Sequence, residues 1–408
     1  MSGPSSPAAG RPRRLAVLIT HPVQYFRPVF AELARDPELD LLVLFGCPHG
    51  VEPSLDPDFG VSIAWDSAPT AGFPHAFLSR RPLADLSRWR VALPLAWRAL
   101  RRLRTFQPEA VLVFAYSPAF ITVSTVLLRL AGLQLLLRAD GTDRAFPRSR
   151  LKSAFKDVML RLWYRQFVHV FPIGSDSDHH FRRLGVADCR RTPVRYAVDV
   201  EFFARQWQIW APQRRHLRQA EGIPGDALVL LWSAKMTPVK HPQLLLEALD
   251  LLPVPIRQRL WLLAVGDGPL RREFEAGASR LLPGRCRFVG FRNQSQLGQC
   301  YAMADALVFP SRQGETWGLV VNEALQFGLA VISSNHVGCA TDLLAPPAPT
   351  PTGTALFASE NAQALAQALR AFADAHPRGF EPQPVAPLPH PRDLAQAVAG
   401  VLKASARA

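Results

Sequence analysis

Lysine is scarce in this basic sequence, and the positive charge comes almost entirely from arginine. The 408 residues include 47 Lys and Arg but only five lysines, at positions 152, 156, 235, 240 and 403. Asp and Glu total 33, so the formal net charge is +14. A lysine at any given position is therefore a departure from the chain's own composition. Two of the five, Lys235 and Lys240, lie close together.

Cysteine is also sparse, and its arrangement excludes two classes of protein. The five cysteines are scattered and odd in number, and none forms a C-x-x-C pair. This pattern argues against a disulfide framework or a zinc site and favours a reducing, cytoplasmic compartment. No G-x-x-x-x-G-K-[ST] sequence is present, which excludes a P-loop nucleotidase. Residues 1–12 lack a signal-peptide core and are predicted to be a disordered tail.

One stretch without charge tests whether the chain crosses a membrane. Residues 110–128 contain no charged side chain, which is nearly the length of a membrane span. Pro118 interrupts the run and Arg129 ends it. Buried parallel strands read as continuous apolar runs. The stretch is therefore predicted to be a strand, a helix and a second strand.

Short apolar runs alternate with helical patterns along the chain. They fall into two series: 15–20, 41–45, 111–115, 133–138 and 168–173, then 227–233, 260–265, 287–289, 306–310, 330–333 and 354–357. Such alternation predicts doubly wound α/β sheets, here two tandem Rossmann-like domains with a cleft between them. We assign the first domain to 13–205, the second to 206–390 and a C-terminal helix to 391–408. The boundary falls near the polar, arginine-rich segment 213–219.

The first half carries most of the net charge. Residues 1–200 have a charge of +10 and residues 201–408 one of +4. Within 77–107 there are eight arginines and one aspartate, interleaved with Trp89 and Trp97. This stretch suits either an anionic membrane surface or an ordinary solvated arginine-rich face. No nucleic-acid motif accompanies it, so we predict no nucleic-acid partner.

A strand followed by a glycine-flanked loop and a helix gives the most informative window, 311–324. Glu315 and Glu323 are separated by seven residues there. The start of a helix offers free N–H groups and a positive dipole end, which suit a phosphate. Glu323 could then reach hydroxyls at the other end of a ligand. The alternative is that Glu315 is an ordinary acid near a helix start and Glu323 a surface residue.

Two further windows follow strands of the second series. Lys235 and Lys240 come directly after the strand 227–232, at the edge where open α/β sheets bind ligands. Two cations there could neutralise a diphosphate, or they could be solvated loop lysines. The third window contains Gly266 and Gly268, and a lone G-x-G is weak evidence by itself.

In this order and spacing the windows resemble family-four retaining glycosyltransferases of the GT-B fold. The quoted segments are the two lysines, V-G-D-G-P at 265–269, R-F-V-G-F at 287–291, the Glu-x7-Glu pair and S-N-H-V-G at 334–338. In the first half, T-H-P-V-Q-Y-F-R-P at 20–28, I-G-S-x-S-x-H-H-F-R-R-L-G-V at 173–186 and V-R-Y-A-V-D at 194–199 resemble a branch that acts in bacterial surface polysaccharide assembly.

The resemblance implies a nucleotide-diphosphate sugar donor in the second domain and a saccharide or lipid-linked acceptor in the first. Carried over by position, it assigns these roles: Lys235 and Lys240 hold the diphosphate, Glu323 binds the ribose, Glu315 and Thr316 lie at the sugar with N–H groups near Gly318 and Leu319, and Phe291 and Gly266 line the nucleotide. It also implies no cofactor, and a lipid-linked acceptor would place the protein on the inner face of the membrane.

The sequence departs from that family in the first domain. Many relatives have a histidine beside the sugar, and Asp140 is our candidate for that place. His21 stands where many have a glycine-rich loop, and it either faces the acceptor or ends a strand. Asp176 and Asp178 form a D-x-D before two histidines, but Ser175 or Asp176 is expected to cap a helix there, so we predict no metal.

Other functions remain open at this stage. They are another GT-B enzyme, such as a nucleotide-sugar epimerase or a phosphorylase, and a non-catalytic scaffold that binds nucleotides at a membrane surface.

Overall fold

The described residues form two parallel sheets of six strands each, and the predicted apolar runs supply every one of these strands except His75–Phe77. The computed structural model describes residues 11–51, 54–56, 61–63, 68–81, 85–143 and 150–405, and the first ten residues of the tail predicted at 1–12 lie outside them. The first sheet has the order β5-β2-β1-β6-β7-β8, and β3 and β4 form a separate antiparallel pair. The elements up to its last strand are β1 Arg13–Ile19, α1 Arg27–Arg35, β2 Leu39–Phe45, β3 Ser54–Asp56, β4 Val61–Ile63, β5 His75–Phe77, α2 Trp89–Phe106, β6 Ala110–Phe114, α3 Ala119–Leu130, β7 Gln134–Ala139, α4 Arg150–Tyr164 and β8 His169–Pro172.

The second sheet repeats the same strand order. Counted along the chain, both sheets read 3-2-1-4-5-6, the order of dinucleotide-binding α/β folds. The remaining elements are α5 Ser175–Arg183, α6 Val200–Trp210, α7 Arg214–Ala220, β9 Leu228–Ser233, α8 Pro242–Asp250, α9 Val254–Arg259, β10 Leu260–Val265, α10 Arg271–Leu281, β11 Cys286–Gly290, α11 Gln294–Met303, β12 Ala306–Phe309, α12 Leu319–Gln326, β13 Ala330–Ser334, β14 Ala355–Phe357, α13 Ala362–Ala375 and α14 Pro391–Ser405. The predicted fold class is confirmed.

The central strands are apolar throughout because helices cover both faces of each sheet. Every residue of β6 and of β10 is buried. The uncharged stretch at 110–128 is β6 followed by most of α3, and the second strand of the prediction is β7, which begins after the stretch has ended. Within the described residues, no helix combines the length and the apolar character that crossing a bilayer requires.

The arginine-rich segment near the predicted domain boundary forms α7. Its Arg214 and Arg218 both donate to the carboxylate of Asp305, which is fully buried before β12. Arg218 is itself only 5% exposed. Nothing local to the segment shows that its partner lies about ninety positions later in the chain.

The C-terminal helix returns to the first sheet. Helix α14 packs on α1, and its Leu394, Val398 and Leu402 join the apolar core beside β1 and β2. The chain therefore passes between the two sheets twice, once ahead of α6 and once ahead of α14.

Candidate active site

Two loops meet at the carboxyl edge of the second sheet. The lysine loop contains Lys235 and Lys240, and the glutamate loop contains Glu315. They follow β9 and β12, which are adjacent strands. The Lys240 ammonium donates to the Glu315 carboxylate and lies 4.9 Å from the centre of the Phe309 ring. Lys235 is half-buried in the same loop. Two of the residues that the sequence assigned to the donor phosphate and sugar are thus in direct contact.

Close packing explains why glycine occupies both positions of the G-x-G sequence at 266–268. Gly266 and Gly268 have φ of +118° and +149°, and a Cβ on Gly266 would lie 2.2 Å from the carbonyl oxygen of Ala234. A Cβ on Gly268 would lie 2.7 Å from the Met236 oxygen. Only glycine, which has no Cβ, fits where this turn packs on the lysine loop. The glycine turn and the lysine loop therefore pack together as one unit.

Phe291 follows β11 at the same edge. The N–H of Gly266 donates to the carbonyl of Gly290 at 2.9 Å, and Gly290 turns the chain with a φ of +72°. Phe291 is the next residue and therefore lies beside the turn that contains Gly266 and Gly268. Its contact with a nucleotide base stays a prediction.

Helix α12 begins at the glutamate loop. Gly318 precedes it with a φ of +92°, and a Cβ there would lie 2.8 Å from the Phe309 ring. The Val321 N–H donates to the Gly318 carbonyl at 2.9 Å. Leu319 is the first helical residue, so the N–H groups of the first turn have no acceptor four residues before them within the helix. They lie at the positive end of the helix dipole, next to the Lys240–Glu315 pair in the sequence and in the fold.

Glu323 is buried, contrary to the reading of it as a surface residue. It is 3% exposed, and the Tyr301 hydroxyl donates to one carboxylate oxygen at 2.5 Å. The other oxygen has no hydrogen-bond partner among the described residues. Burial raises the pKa of the carboxyl to about 7, against the lowering effect of the Tyr301 hydrogen bond and of the nearby Tyr25 hydroxyl of the first domain.

The first domain reaches this edge through the loop after β7. Thr316 donates its hydroxyl to the Asp140 carboxylate at 3.2 Å. The loop is anchored a few residues later, where Asp143 accepts from the His180 ring at 2.7 Å. The other ring nitrogen of His180 is 3.1 Å from the Tyr164 hydroxyl. Asp140, our candidate for the place of the first-domain histidine, thus contacts the glutamate loop.

His21 lies after β1 and pairs with another histidine. Its ring centre is 5.2 Å from that of His49, and its Nδ1 is 3.0 Å from the Thr20 hydroxyl. Burial and the neighbouring His49 lower the pKa of His21 to about 4, so the ring is neutral near pH 7. Contact with an acceptor stays a prediction.

Part of the chain matches a known protein family. Residues 213–377 match the family model described as "Glycosyl transferases group 1". This segment is similar to group 1 glycosyltransferases. It contains Lys235, Lys240, Glu315 and Glu323.

Curated relatives and solved structures agree with that match. The lipopolysaccharide 1,2-N-acetylglucosaminetransferase of Salmonella typhimurium strain LT2 is 31% identical over 30% of this chain and 34% of its own length. The D-inositol 3-phosphate glycosyltransferase 2 of Catenulispora acidiphila is 33% identical over 41% of this chain. The chain spans 40% of that relative, less than half of either one.

A solved structure extends the likeness to both sheets. The Anabaena protein HepE, in complex with UDP and glucose, superposes with a TM-score of 0.62 at 18% identity. The match covers 96% of this chain and 100% of that one. This similarity establishes the GT-B arrangement of the two domains.

A contact between the second domain and the first domain was not predicted from the sequence. Ser175 donates its N–H and its hydroxyl to the Asp342 carboxylate, at 2.9 and 2.8 Å. The expectation that Ser175 or Asp176 caps α5 is wrong. Gly174 precedes the helix and no side chain caps it. Asp342, on another domain, supplies the carboxylate instead, and no local pattern could show this.

A second contact that the sequence did not predict joins the helix after the glutamate loop to the first domain, next to Trp317. The Trp317 indole donates to Asn322 at 2.9 Å, and Asn322 donates to the Tyr196 carbonyl at 3.0 Å. A Cβ on Gly174 would lie 2.4 Å from the Trp317 ring. The glycine in the I-G-S segment therefore has a packing role against the second domain.

The D-x-D segment shows no metal-binding geometry. Asp178 is bound to Arg182 and Arg191. Across the described ranges, no three His, Cys, Asp or Glu side chains are grouped so as to hold a metal ion. The expectation that no metal is needed stays a prediction.

Proposed function

We propose that the protein is a retaining glycosyltransferase that moves a sugar from a nucleotide-diphosphate sugar to a saccharide or lipid-linked saccharide. The observation that carries the proposal is the Lys240–Glu315 pair at the start of α12, with buried Glu323 farther along that helix. Relatives that act on lipopolysaccharide and a neighbour with bound UDP support it.

The chemistry follows from where charge develops. When the bond between sugar and phosphate breaks, negative charge builds on the leaving diphosphate and positive charge on the sugar. Cations and N–H groups that are already in position stabilise the phosphate without reorganising. We assign that role to Lys235, Lys240 and the N–H groups near Gly318 and Leu319.

The two glutamates have different tasks in this proposal. Glu315 orients the sugar and holds the Lys240 ammonium at the phosphate, because the two side chains are bonded. Glu323 has one carboxylate oxygen without a partner in the described structure, and we assign it to the ribose hydroxyls. Phe291 and Gly266 line the nucleotide.

The acceptor approaches from the first domain. Asp140 lies against Thr316 at the sugar position, and His21 lies after β1 at the carboxyl edge of the first sheet. In the same-face mechanism that the resemblance implies, the leaving phosphate accepts the acceptor's proton. No protein nucleophile and no cofactor are then required.

We further propose that the first domain binds an anionic membrane surface, on the cytoplasmic face. Helix α2 exposes Trp89, Leu93 and Trp97, of which the tryptophans are 60% and 50% exposed. Helix α4 exposes a second apolar stripe at helical spacing, made of Phe155, Val158, Met159 and Leu162. Arg101, Arg102 and Arg104 are exposed at the end of α2. Apolar stripes beside arginines suit the boundary between headgroups and acyl chains.

Sedimentation with vesicles tests the membrane proposal. We expect binding to anionic vesicles that weakens with salt and falls when Arg101, Arg102 and Arg104 become Gln, at about 1 kcal/mol per arginine. The control has the same charge change in the second domain, with Arg272, Arg280 and Arg370 replaced by Gln. Equal loss in the two triple variants, or binding that ignores lipid charge, would refute the proposal.

Screening nucleotide sugars tests the enzyme. The purified protein is expected to hydrolyse slowly one nucleotide-diphosphate sugar of a panel, and Glu315→Gln is expected to abolish this turnover. A phosphorylase would instead show the absorbance of bound pyridoxal phosphate. A nucleotide-binding scaffold would bind one of the panel without any turnover.

A further inference from the structure

A cavity of about 890 Å³ opens on the second domain, away from the candidate active site. It lies between α7 with its neighbouring residues and the segment that follows α13. Its lining includes Trp207, Arg214, Arg215, Arg218, Arg378 and Phe380. None of the residues assigned to the donor or the acceptor lines it.

The floor of the cavity is a buried ionic cluster. Arg214 and Arg218 share the single carboxylate of Asp305, which is fully buried and also accepts from the N–H of Val229 at 2.6 Å. Arg214 donates in addition to the carbonyl of Ala304 at 2.7 Å. Two guanidinium groups against one carboxylate leave the floor with an excess of positive charge.

The rim adds two more arginines whose side chains have no ion pair or hydrogen bond within the described structure. Arg215 is exposed on α7, and Arg378 is exposed on the segment after α13. Glu381 is the one acidic side chain that lines the cavity. Unpaired arginines on facing walls are suited to a dianion, because the guanidinium fork matches two phosphate oxygens.

One wall is apolar and aromatic. Phe380 is 8% exposed, and the Trp207 ring packs edge-on against Phe327 with centres 6.0 Å apart. An aromatic wall beside cationic groups is the combination that takes a planar base and its phosphates. The volume also lies in the range of small-molecule sites.

We propose that this cavity binds a phosphate-bearing small molecule of nucleotide size, at a site separate from the donor site. Arg215 and Arg378 contact the phosphates, and the Trp207 and Phe380 wall contacts the base. The two arginines belong to different parts of the chain. One follows the first passage between the domains, and the other precedes the second passage, so a bound ligand joins the segment after one passage to the segment before the other.

Local hydrogen exchange tests the proposal without interference from the donor site. ATP is the probe, and the readout is the ATP concentration that half-protects peptides from 211–219 and 378–382. Replacing both Arg215 and Arg378 by Gln is expected to raise this concentration at least tenfold, because each charge-assisted bond is lost. The matched control, Arg129→Gln with Arg280→Gln, is expected to leave it unchanged. Both pairs are exposed, so the fold is retained.

Pyrophosphate serves as the probe that lacks a base. It is expected to protect the same peptides with a midpoint about tenfold higher than that of ATP, since stacking on an aromatic side chain is absent. Absence of protection by ATP, or an equal midpoint in the double variant and the parent, would overturn the site. If ATP and pyrophosphate half-protect the peptides at the same concentration, the base makes no contact, and the proposal that the ligand is a nucleotide is overturned.

Discussion

Replacing Glu323 by Gln is expected to remove a pH dependence of stability that this one carboxyl creates. Glu323 is 3% exposed, and burial raises its pKa from 4.5 to about 7. The substitution keeps the shape of the side chain and an oxygen that can accept from Tyr301. It removes only the ability to ionise.

The sign follows from proton binding. Between about pH 4.5 and about pH 7 the folded state holds the Glu323 proton while the unfolded state has lost it, so unfolding releases a proton. The free energy of unfolding of the parent therefore falls as the pH rises through this window. Below the window both states are protonated, and above it both are ionised, so the contribution is constant.

The magnitude follows from the same two values. A pKa raised from 4.5 to about 7 corresponds to a loss of about 3 kcal/mol of unfolding free energy across the window. The difference between parent and Glu323→Gln should change by this amount from about pH 4.5 to about pH 8, with the variant gaining relative stability at the higher pH.

Urea denaturation across that pH range measures the effect. Glu273→Gln, at an exposed carboxyl on α10, is the control and should differ from the parent by a constant amount. A pH-independent difference between the parent and Glu323→Gln would refute the reasoning. So would a variant that loses relative stability as the pH rises.

The remaining predictions concern the ionic cluster, the contact between the domains and the need for metal. Asp305→Asn should lose about 3–5 kcal/mol of unfolding free energy in urea, because Arg214 and Arg218 lose their buried partner, whereas Asp374→Asn on the exposed face of α13 should change it by less than about 0.5 kcal/mol. Asp342→Ala removes the carboxylate that Ser175 and Arg195 contact across the domains, and it should enlarge the radius of gyration measured by X-ray scattering; an unchanged radius would contradict that role. Sugar transfer should persist in EDTA, because the lysines supply the positive charge at the phosphate; loss of activity that Mn²⁺ or Mg²⁺ restores would show that a metal was overlooked.

The fold was predictable because it depends on local patterns. The strand predicted at 260–265 is β10 itself, and others differ by one or two residues at their ends. Continuous apolar runs between helices are what a sheet covered on both faces requires. The edge at which loops bind ligands follows from the direction of parallel strands, and this placed the two lysines at a ligand site. The family resemblance added Glu315 to the same site.

The electrostatics of the site could not be predicted, because they depend on pairs that are distant in the sequence. Glu323 reads as an ordinary helix residue, and its burial follows from Tyr301 and from a first-domain tyrosine packed over it. Ser175 reads as a helix cap, yet its partner is Asp342. The arginines of α7 form only a polar segment in the sequence, and nothing near them points to Asp305, to which Arg214 and Arg218 both donate.

Isothermal titration with nucleoside diphosphates tests the central claim most directly. The parent is expected to bind one of UDP, GDP, ADP or TDP, and Lys240→Ala is expected to bind it at least tenfold more weakly. The variant loses a charge-assisted bond to phosphate and leaves Glu315 without its cation. Lys403→Ala removes the same charge at α14, where that lysine pairs with Glu38, and it should bind like the parent. Equal affinity in Lys240→Ala and the parent, or no binding of any of the four, would contradict the assignment of this edge to a nucleotide-sugar donor.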